Sequence, residues 1–130
     1  MENKKERIED FKTAIISTIK SLSNSQKIDV SFGSNSNSVT NSIKLPELQL
    51  VRDKINYEEI RAVADSKSLN YRFSDKKTLK KYEPKGNISK KLYFISEKIR
   101  CEKIGTSYFK GVKNNIEKFY QKRLSSLDLK

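Results

Sequence analysis

The 130-residue chain contains no histidine, no tryptophan and a single cysteine, Cys101. Histidine is the commonest general base and the commonest metal ligand, so its absence disfavours both acid–base catalysis and a metal centre. One cysteine excludes an internal disulfide and fits a reducing compartment, so we expect a cytoplasmic protein. The four glycines are scattered, and none belongs to a phosphate-binding loop. We therefore expect no catalytic residue, no bound cofactor and no bound metal.

Long apolar runs are also missing. No stretch approaches the roughly 20 apolar residues that a membrane-spanning helix requires, so we expect no contact with a membrane. The length predicts a single domain over residues 1–130, with one modest core.

Basic residues dominate the charge of the chain. Lys and Arg number 28 against 16 Asp and Glu, which gives a net charge of +12. A basic nucleic-acid-binding module is therefore the alternative function, because cationic side chains release counterions from phosphates. Only 6 of the 28 are arginine, the residue that best fits phosphates and guanine edges, so we expect no specific nucleic-acid partner.

Seven lysines form the strongest local charge feature. A solvated surface is the simplest interpretation, and a docking face for an acidic partner segment is the sharper one. We call this set the lysine face: Lys76, Lys77, Lys80, Lys81, Lys85, Lys90 and Lys91.

The apolar periodicity predicts a mainly α-helical domain of four to five helices with a short β-hairpin near residues 28–45. A first helix over about 4–23 has one apolar stripe: Ile8, Phe11, Ile15, Ile19 and Leu22. Strict alternation over 28–32 predicts a half-buried strand, and 43–45 can return as a second strand after a Ser/Asn-rich loop at 33–42.

Capping signals define the helices of the second half. Asn56 and Glu59 form a capping box, and the helix after them is predicted to bury Ile60, Val63, Ala64 and Tyr71. A short helix over about 75–82 precedes a long one over about 87–103. Gly105 is predicted to end the long helix, and a last helix from about 107, with Gly111 near its start, frays over 125–130. The long helix is predicted to bury an apolar stripe: Ile88, Leu92, Ile95 and Ile99.

Polar residues on helical faces are the more informative candidates. Glu102 continues the apolar row of the long helix, which indicates either the edge of the core or a buried carboxylate with a partner. Arg61 and Asp65 share one flank of their helix, and Arg61 is the expected partner of Glu102. Glu97 and Arg100 are spaced to pair at i,i+3.

One apparent metal motif is rejected. Asp29, Ser31 and Gly33 approach the Asp-x-Ser-x-Ser pattern of von Willebrand A domains, but glycine replaces the last serine. Such a domain also needs a doubly wound parallel sheet, for which the chain is too short. We expect no von Willebrand A domain.

From about Phe11 to Ile116 the chain resembles the N-terminal region of the CobT family. The most specific stretch is Glu97-x-x-Arg100-x-Glu102-x-Ile104-Gly105. The other matching pieces are Phe11-Lys-x-Ala14, Val30-x-Phe32, Leu45-Pro46, Arg61-x-x-Ala64-Asp65, Pro84-x-Gly86 and Gly111-Val112. Val63 departs from the family, which often has histidine there, so no role is assigned to that position.

The resemblance implies a subunit, or a fragment of one, of the aerobic ATP-dependent cobaltochelatase of cobalamin biosynthesis. In that complex a large subunit binds the corrin substrate, hydrogenobyrinic acid a,c-diamide, and inserts Co²⁺, while an AAA+ subunit hydrolyses ATP with Mg²⁺. CobT associates with the AAA+ ring and couples it to the large subunit. The shared polar residues Arg61, Asp65, Glu97, Arg100 and Glu102 are expected to form a structural network.

Overall fold

The computed structural model describes residues 3–33, 41–48 and 56–127. Within these ranges the domain is mainly helical, as predicted, and five helices accompany two short strands. In chain order they are α1 (Lys4–Leu22), β1 (Asp29–Phe32), β2 (Ser42–Leu45), α2 (Tyr57–Phe73), α3 (Lys76–Lys81), α4 (Asn87–Tyr108) and α5 (Lys110–Leu127). Among the described helices, none has the length and apolar character to cross a bilayer.

The two strands pair in parallel, so the hairpin prediction is wrong. Asp29 lies opposite Ser42, and Phe32 lies opposite Leu45. The nine residues from 33 to 41 can reach about 30 Å when extended, which is ample to return the chain along a four-residue strand. Ile43 and Leu45 alternate along β2 with Lys44, and both are buried. The same alternation holds for either strand direction, so it could not reveal the pairing.

α2 lies at the centre of the domain and contacts α1, β2, α4 and α5. The predicted cap is present, since the side-chain oxygen of Asn56 accepts from the Glu59 amide at 3.1 Å. The sequence also places Ile55 and Ile60 at the positions of a hydrophobic staple, and Ile55 lies outside the described residues. One side of α2 joins a core built with α1 and the strands: Ile15, Ile19, Ile28, Ile43, Leu45, Ile60 and Ala64. The opposite side contributes Leu69 to a smaller cluster with Leu22 and Ile116.

α4 exposes the stripe that the sequence predicted to be buried. The exposed fractions are 77% for Ile88, 60% for Leu92, 53% for Ile95 and 56% for Ile99. The buried residues of α4 are Cys101, Glu102 and Gly105 instead. An apolar row predicts a buried face only where another element covers it. Here α2 and α5 pack on a face of small and polar residues, and the aliphatic row turns outward. We call this row the α4 stripe.

Gly105 lies inside α4 and does not end it, contrary to the prediction. A side-chain carbon at this position would overlap Leu69, which is fully buried on α2. Glycine therefore allows the two helices to approach closely. The helix ends three residues later, with Phe109 as an extended C-cap whose amide donates to the Gly105 carbonyl at 2.9 Å. Gly111 lies in the first turn of α5.

α3 and α5 complete the helical layer. The Tyr93 hydroxyl on α4 donates to the Leu79 carbonyl at 2.8 Å, which attaches α3 to α4. α5 buries Ile116, with Val112 and Phe119 half-buried, whereas Leu124 is 65% exposed. α5 continues to Leu127, and residues 128–130 lie outside the described ranges.

Candidate functional site

Glu102 is buried at the junction of three helices. Its Oε1 accepts from the Ser66 hydroxyl of α2 at 2.5 Å. The Tyr120 hydroxyl of α5 lies 2.8 Å from Oε2 and 3.1 Å from Oε1. Lys98, one turn earlier on α4, brings its ammonium to 3.9 Å from Oε1. One carboxylate, 6% exposed, thus connects α2, α4 and α5.

The hydroxyl groups around Glu102 act as donors to a fixed acceptor. Burial, reinforced by the hydrogen bond to Glu102, raises the pKa of Tyr120 to about 12, so its proton stays in place at neutral pH. The Lys98 ammonium also lies 5.8 Å from the centre of the Tyr120 ring. A cavity of about 120 Å³ borders this cluster, well below the size of a typical ligand pocket. The geometry suits a structural connection between helices.

Asp65, which precedes Ser66 on α2, forms a second buried connection between helices. Asn115 on α5 donates its side-chain amide to Oδ2 of Asp65 at 2.9 Å. Burial raises the pKa of Asp65, and the Asn115 hydrogen bond and the charge of Arg61 partly oppose this shift. Asp65 is 4% exposed, so this contact between α2 and α5 is buried.

Arg61 does not bind Glu102, so that part of the predicted network is wrong. Arg61 is exposed and lines an open cleft of about 560 Å³ between the start of α2 and the end of α5. Across the same cleft, Lys122 donates to Glu58 at 2.7 Å. Sequence spacing placed Arg61 beside the apolar row of α2 and Glu102 in line with the α4 stripe, but it did not show that hydroxyl groups satisfy the carboxylate.

Glu97 and Arg100 form the predicted i,i+3 pair. The guanidinium binds the carboxylate through two atoms, at 2.8 Å from Nε and 2.7 Å from an Nη. The same Nη donates to the Phe73 carbonyl at 2.8 Å, at the last residue of α2. Arg100 lowers the pKa of Glu97 to about 2. The pair therefore holds the end of α2 against α4.

Three of the five predicted polar residues, Asp65, Arg100 and Glu102, thus join helices, although not as one network. We call the Glu102 and Asp65 contacts the polar seam, formed by Asp65, Ser66, Glu102, Asn115 and Tyr120. Ser66, Asn115 and Tyr120 were not among the predicted site residues. A usable signal existed for Tyr120, because it follows the buried Ile116 by four residues on the same face of α5.

Cys101 lies beside the seam, and its thiol is fully buried. Burial, with the nearby Glu97 carboxylate, raises the pKa of the thiol to about 11. The thiol is therefore kept protonated and shielded, as expected for a helix-face residue and not for a nucleophile.

Metal-ligating groups do not converge in the described part of the chain. No group of three or more Cys, Asp or Glu side chains there could hold a metal ion. A cleft of about 660 Å³ between β2, α2 and α4 is cationic, with Lys67 and Lys98 among its lining residues. Burial and the charges of Lys98 and Lys44 lower the pKa of Lys67.

The lysine face surrounds α3 and the start of α4. All seven side chains are exposed. Lys90 lies 3.4 Å from the Glu83 carboxylate, and Lys81 lies over the Tyr82 ring. The α4 stripe begins within the same segment, so Lys91 of the lysine face lies next to the stripe. The predicted docking role of the lysine face stays a prediction.

Comparison with known protein families identifies the chain. A family model described as cobalamin biosynthesis protein CobT matches residues 5–130. The chain belongs to the CobT family. This confirms the resemblance read from the sequence and assigns the chain to cobalamin biosynthesis. Neither the curated proteins nor the solved structures provide a match.

Proposed function

We propose that this CobT-family chain is a non-catalytic subunit, or subunit fragment, of the aerobic cobaltochelatase. In this proposal the complex inserts Co²⁺ into hydrogenobyrinic acid a,c-diamide. This chain assembles with the AAA+ subunit and, through it, with the large corrin-binding subunit. ATP and Mg²⁺ would be bound by the AAA+ subunit, and Co²⁺ is the substrate of the complex.

The observation that carries the proposal is the family match together with the use of the shared polar residues. Asp65 and Glu102 hold helices to one another, and Arg100, paired with Glu97, donates to a backbone carbonyl of α2. Groups committed to internal hydrogen bonds are suited to fixing a shape, because their lone pairs and protons are already used. A domain of fixed shape with an exposed apolar row and a basic face is suited to assembly.

Co-expression with the AAA+ subunit tests the proposal. We expect the two chains to elute together in size-exclusion chromatography, and separate elution at both low and moderate salt would contradict it. The purified chain alone should neither hydrolyse ATP nor insert cobalt. Turnover that persists through repeated purification would show that the non-catalytic assignment is wrong.

The lysine face is tested in the same assay. Changing Lys80, Lys81, Lys90 and Lys91 to glutamine should weaken co-elution and reduce its dependence on salt. Lys110→Gln, an exposed lysine of α5, is the matched control. Binding that survives the fourfold change would remove the lysine face from the docking surface. Tight, sequence-selective binding of DNA or RNA at physiological salt would instead favour the nucleic-acid alternative.

A further inference from the structure

The α4 stripe is the largest aliphatic row left uncovered on a described helix. Its four side chains, Ile88, Leu92, Ile95 and Ile99, are each more than half exposed. They follow spacings of four, three and four residues, so they form one ridge about 17 Å long. Single exposed apolar residues are ordinary on a protein surface, whereas a continuous row marks a contact surface.

Positive charge borders the stripe on both sides. At 100° per residue, Lys91 and Lys103 lie about 60° to either side of the ridge. Both are exposed, and neither forms an ion pair within the described residues. The two carboxylates of α4 are engaged elsewhere, Glu97 by Arg100 and Glu102 in the polar seam. The outward surface of α4 is therefore aliphatic along its centre and cationic along both edges.

We propose that the α4 stripe binds an amphipathic helix of a partner protein whose aliphatic row is bordered by acidic residues. A helix is the fitting occupant, because a straight ridge with helical spacing packs into the groove of another helix. Acidic borders follow from Lys91 and Lys103, whose charges would be paired across the contact. A second copy is disfavoured, because stripe-to-stripe packing would bring the lysines of both copies together in a chain of net charge +12.

A designed peptide provides the direct test. The probe is a fluorescein-labelled 18-residue helix with leucines along one face and glutamates on both flanks, and the matched peptide has lysines in place of the glutamates. In anisotropy titrations of the whole chain, we expect the glutamate peptide to bind at least about tenfold more tightly. Equal binding of the two peptides would overturn the charge argument.

Variants of the chain test whether the peptide binds at the α4 stripe. Leu92→Gln combined with Ile95→Gln should weaken binding of the glutamate peptide by about tenfold or more. Leu124→Gln, at a 65% exposed residue of α5, should leave it unchanged. All three side chains are exposed, so circular dichroism should show an unaltered fold. Unchanged peptide binding by the double variant would overturn the assignment of the stripe.

A charge-reversal variant tests the charged borders of the stripe. Lys91→Glu combined with Lys103→Glu should reverse the preference between the two peptides, and Lys110→Glu should not. A preference that stays the same in the double variant would contradict the proposed borders. Sedimentation of the chain alone supplies a further check, since a dimer abolished by Leu92→Gln would make a second copy the occupant and overturn the proposal.

This inference rests on the assembly role proposed above, and the two can fail separately. If the Leu92/Ile95 double variant still co-elutes with the AAA+ subunit and still binds the glutamate peptide as the unaltered chain does, the stripe is overturned and the assembly role stands. Absence of co-elution for the unaltered chain would overturn the assembly role with that subunit. The peptide titration would still decide whether the stripe binds an acidic helix.

Discussion

Replacing Glu102 by alanine tests whether the polar seam holds the helices together. The substitution removes the acceptor of two short hydrogen bonds and leaves the hydroxyl groups of Ser66 and Tyr120 without it. A hydrogen bond to a charged group contributes about 1.5–3 kcal/mol, and a buried polar group left unpaired costs about 1–3 kcal/mol. Because these terms overlap, we expect the free energy of unfolding to fall by about 3–5 kcal/mol.

Urea unfolding followed by circular dichroism measures this loss. Glu117→Ala is the matched control, because this α5 glutamate is 57% exposed and its lysine partner is 3.9 Å away. An exposed pair of this kind contributes about 0–1 kcal/mol. Arg61→Ala should also cost only a few tenths of a kcal/mol, since its side chain is exposed.

A double-mutant cycle separates the hydrogen bond from the loss of volume. Glu102→Gln and Tyr120→Phe, singly and together, should show a coupling energy of about 1 kcal/mol or more. A loss below about 1 kcal/mol for Glu102→Ala, or a coupling near zero, would refute the buried seam.

Three further predictions follow from the packing of α4. Gly105→Ala should destabilise the domain by about 1–3 kcal/mol, because the new methyl group displaces buried Leu69, whereas Gly111→Ala has open space and should be neutral or stabilising in the same urea melts. Cys101 should react with Ellman's reagent at pH 8 far more slowly in the native chain than in the unfolded chain, because the thiol is buried and its pKa is raised to about 11; equal rates would contradict this burial. The stability lost in Glu97→Gln should be greatest above about pH 5 and should vanish as the pH falls towards 2, because the native pKa of Glu97 is lowered to about 2; a difference independent of pH would refute the pairing.

The sequence predicted α1 and α2 well because their signals are local. Ile15 and Ile19 lie on the predicted stripe of α1 and are buried. Asn56 and Glu59 begin α2 as the capping box indicates. Such signals depend only on residue spacing within one element, so they predict the helix correctly whichever way the other elements pack.

Predictions that depend on two elements failed. Glycine is common at helix ends, so Gly105 was predicted to end α4. The constraint that selects glycine here is the close packing of Leu69, which lies 36 residues earlier in the chain. The partners of Glu102 come from two other helices. They are uncharged hydroxyl groups, so no complementary charge in the sequence indicates them. Strand direction failed for the same reason, because alternation records burial and not the neighbour's orientation.

The polar seam explains why the aliphatic row of α4 faces outward. Glu102 is fixed to α2 and α5 by hydroxyl groups, and Gly105 admits Leu69, so these two residues set the rotation of α4 about its axis. Burying the row would require rotating the helix by about 100°, which would break the Glu102 hydrogen bonds and separate Gly105 from Leu69. Aliphatic burial alone would favour that rotation, so the polar contacts must outweigh it in the isolated domain. The interior contacts of α4 therefore determine the surface that the domain offers to a partner, and residues that never touch the partner can control binding through this rotation.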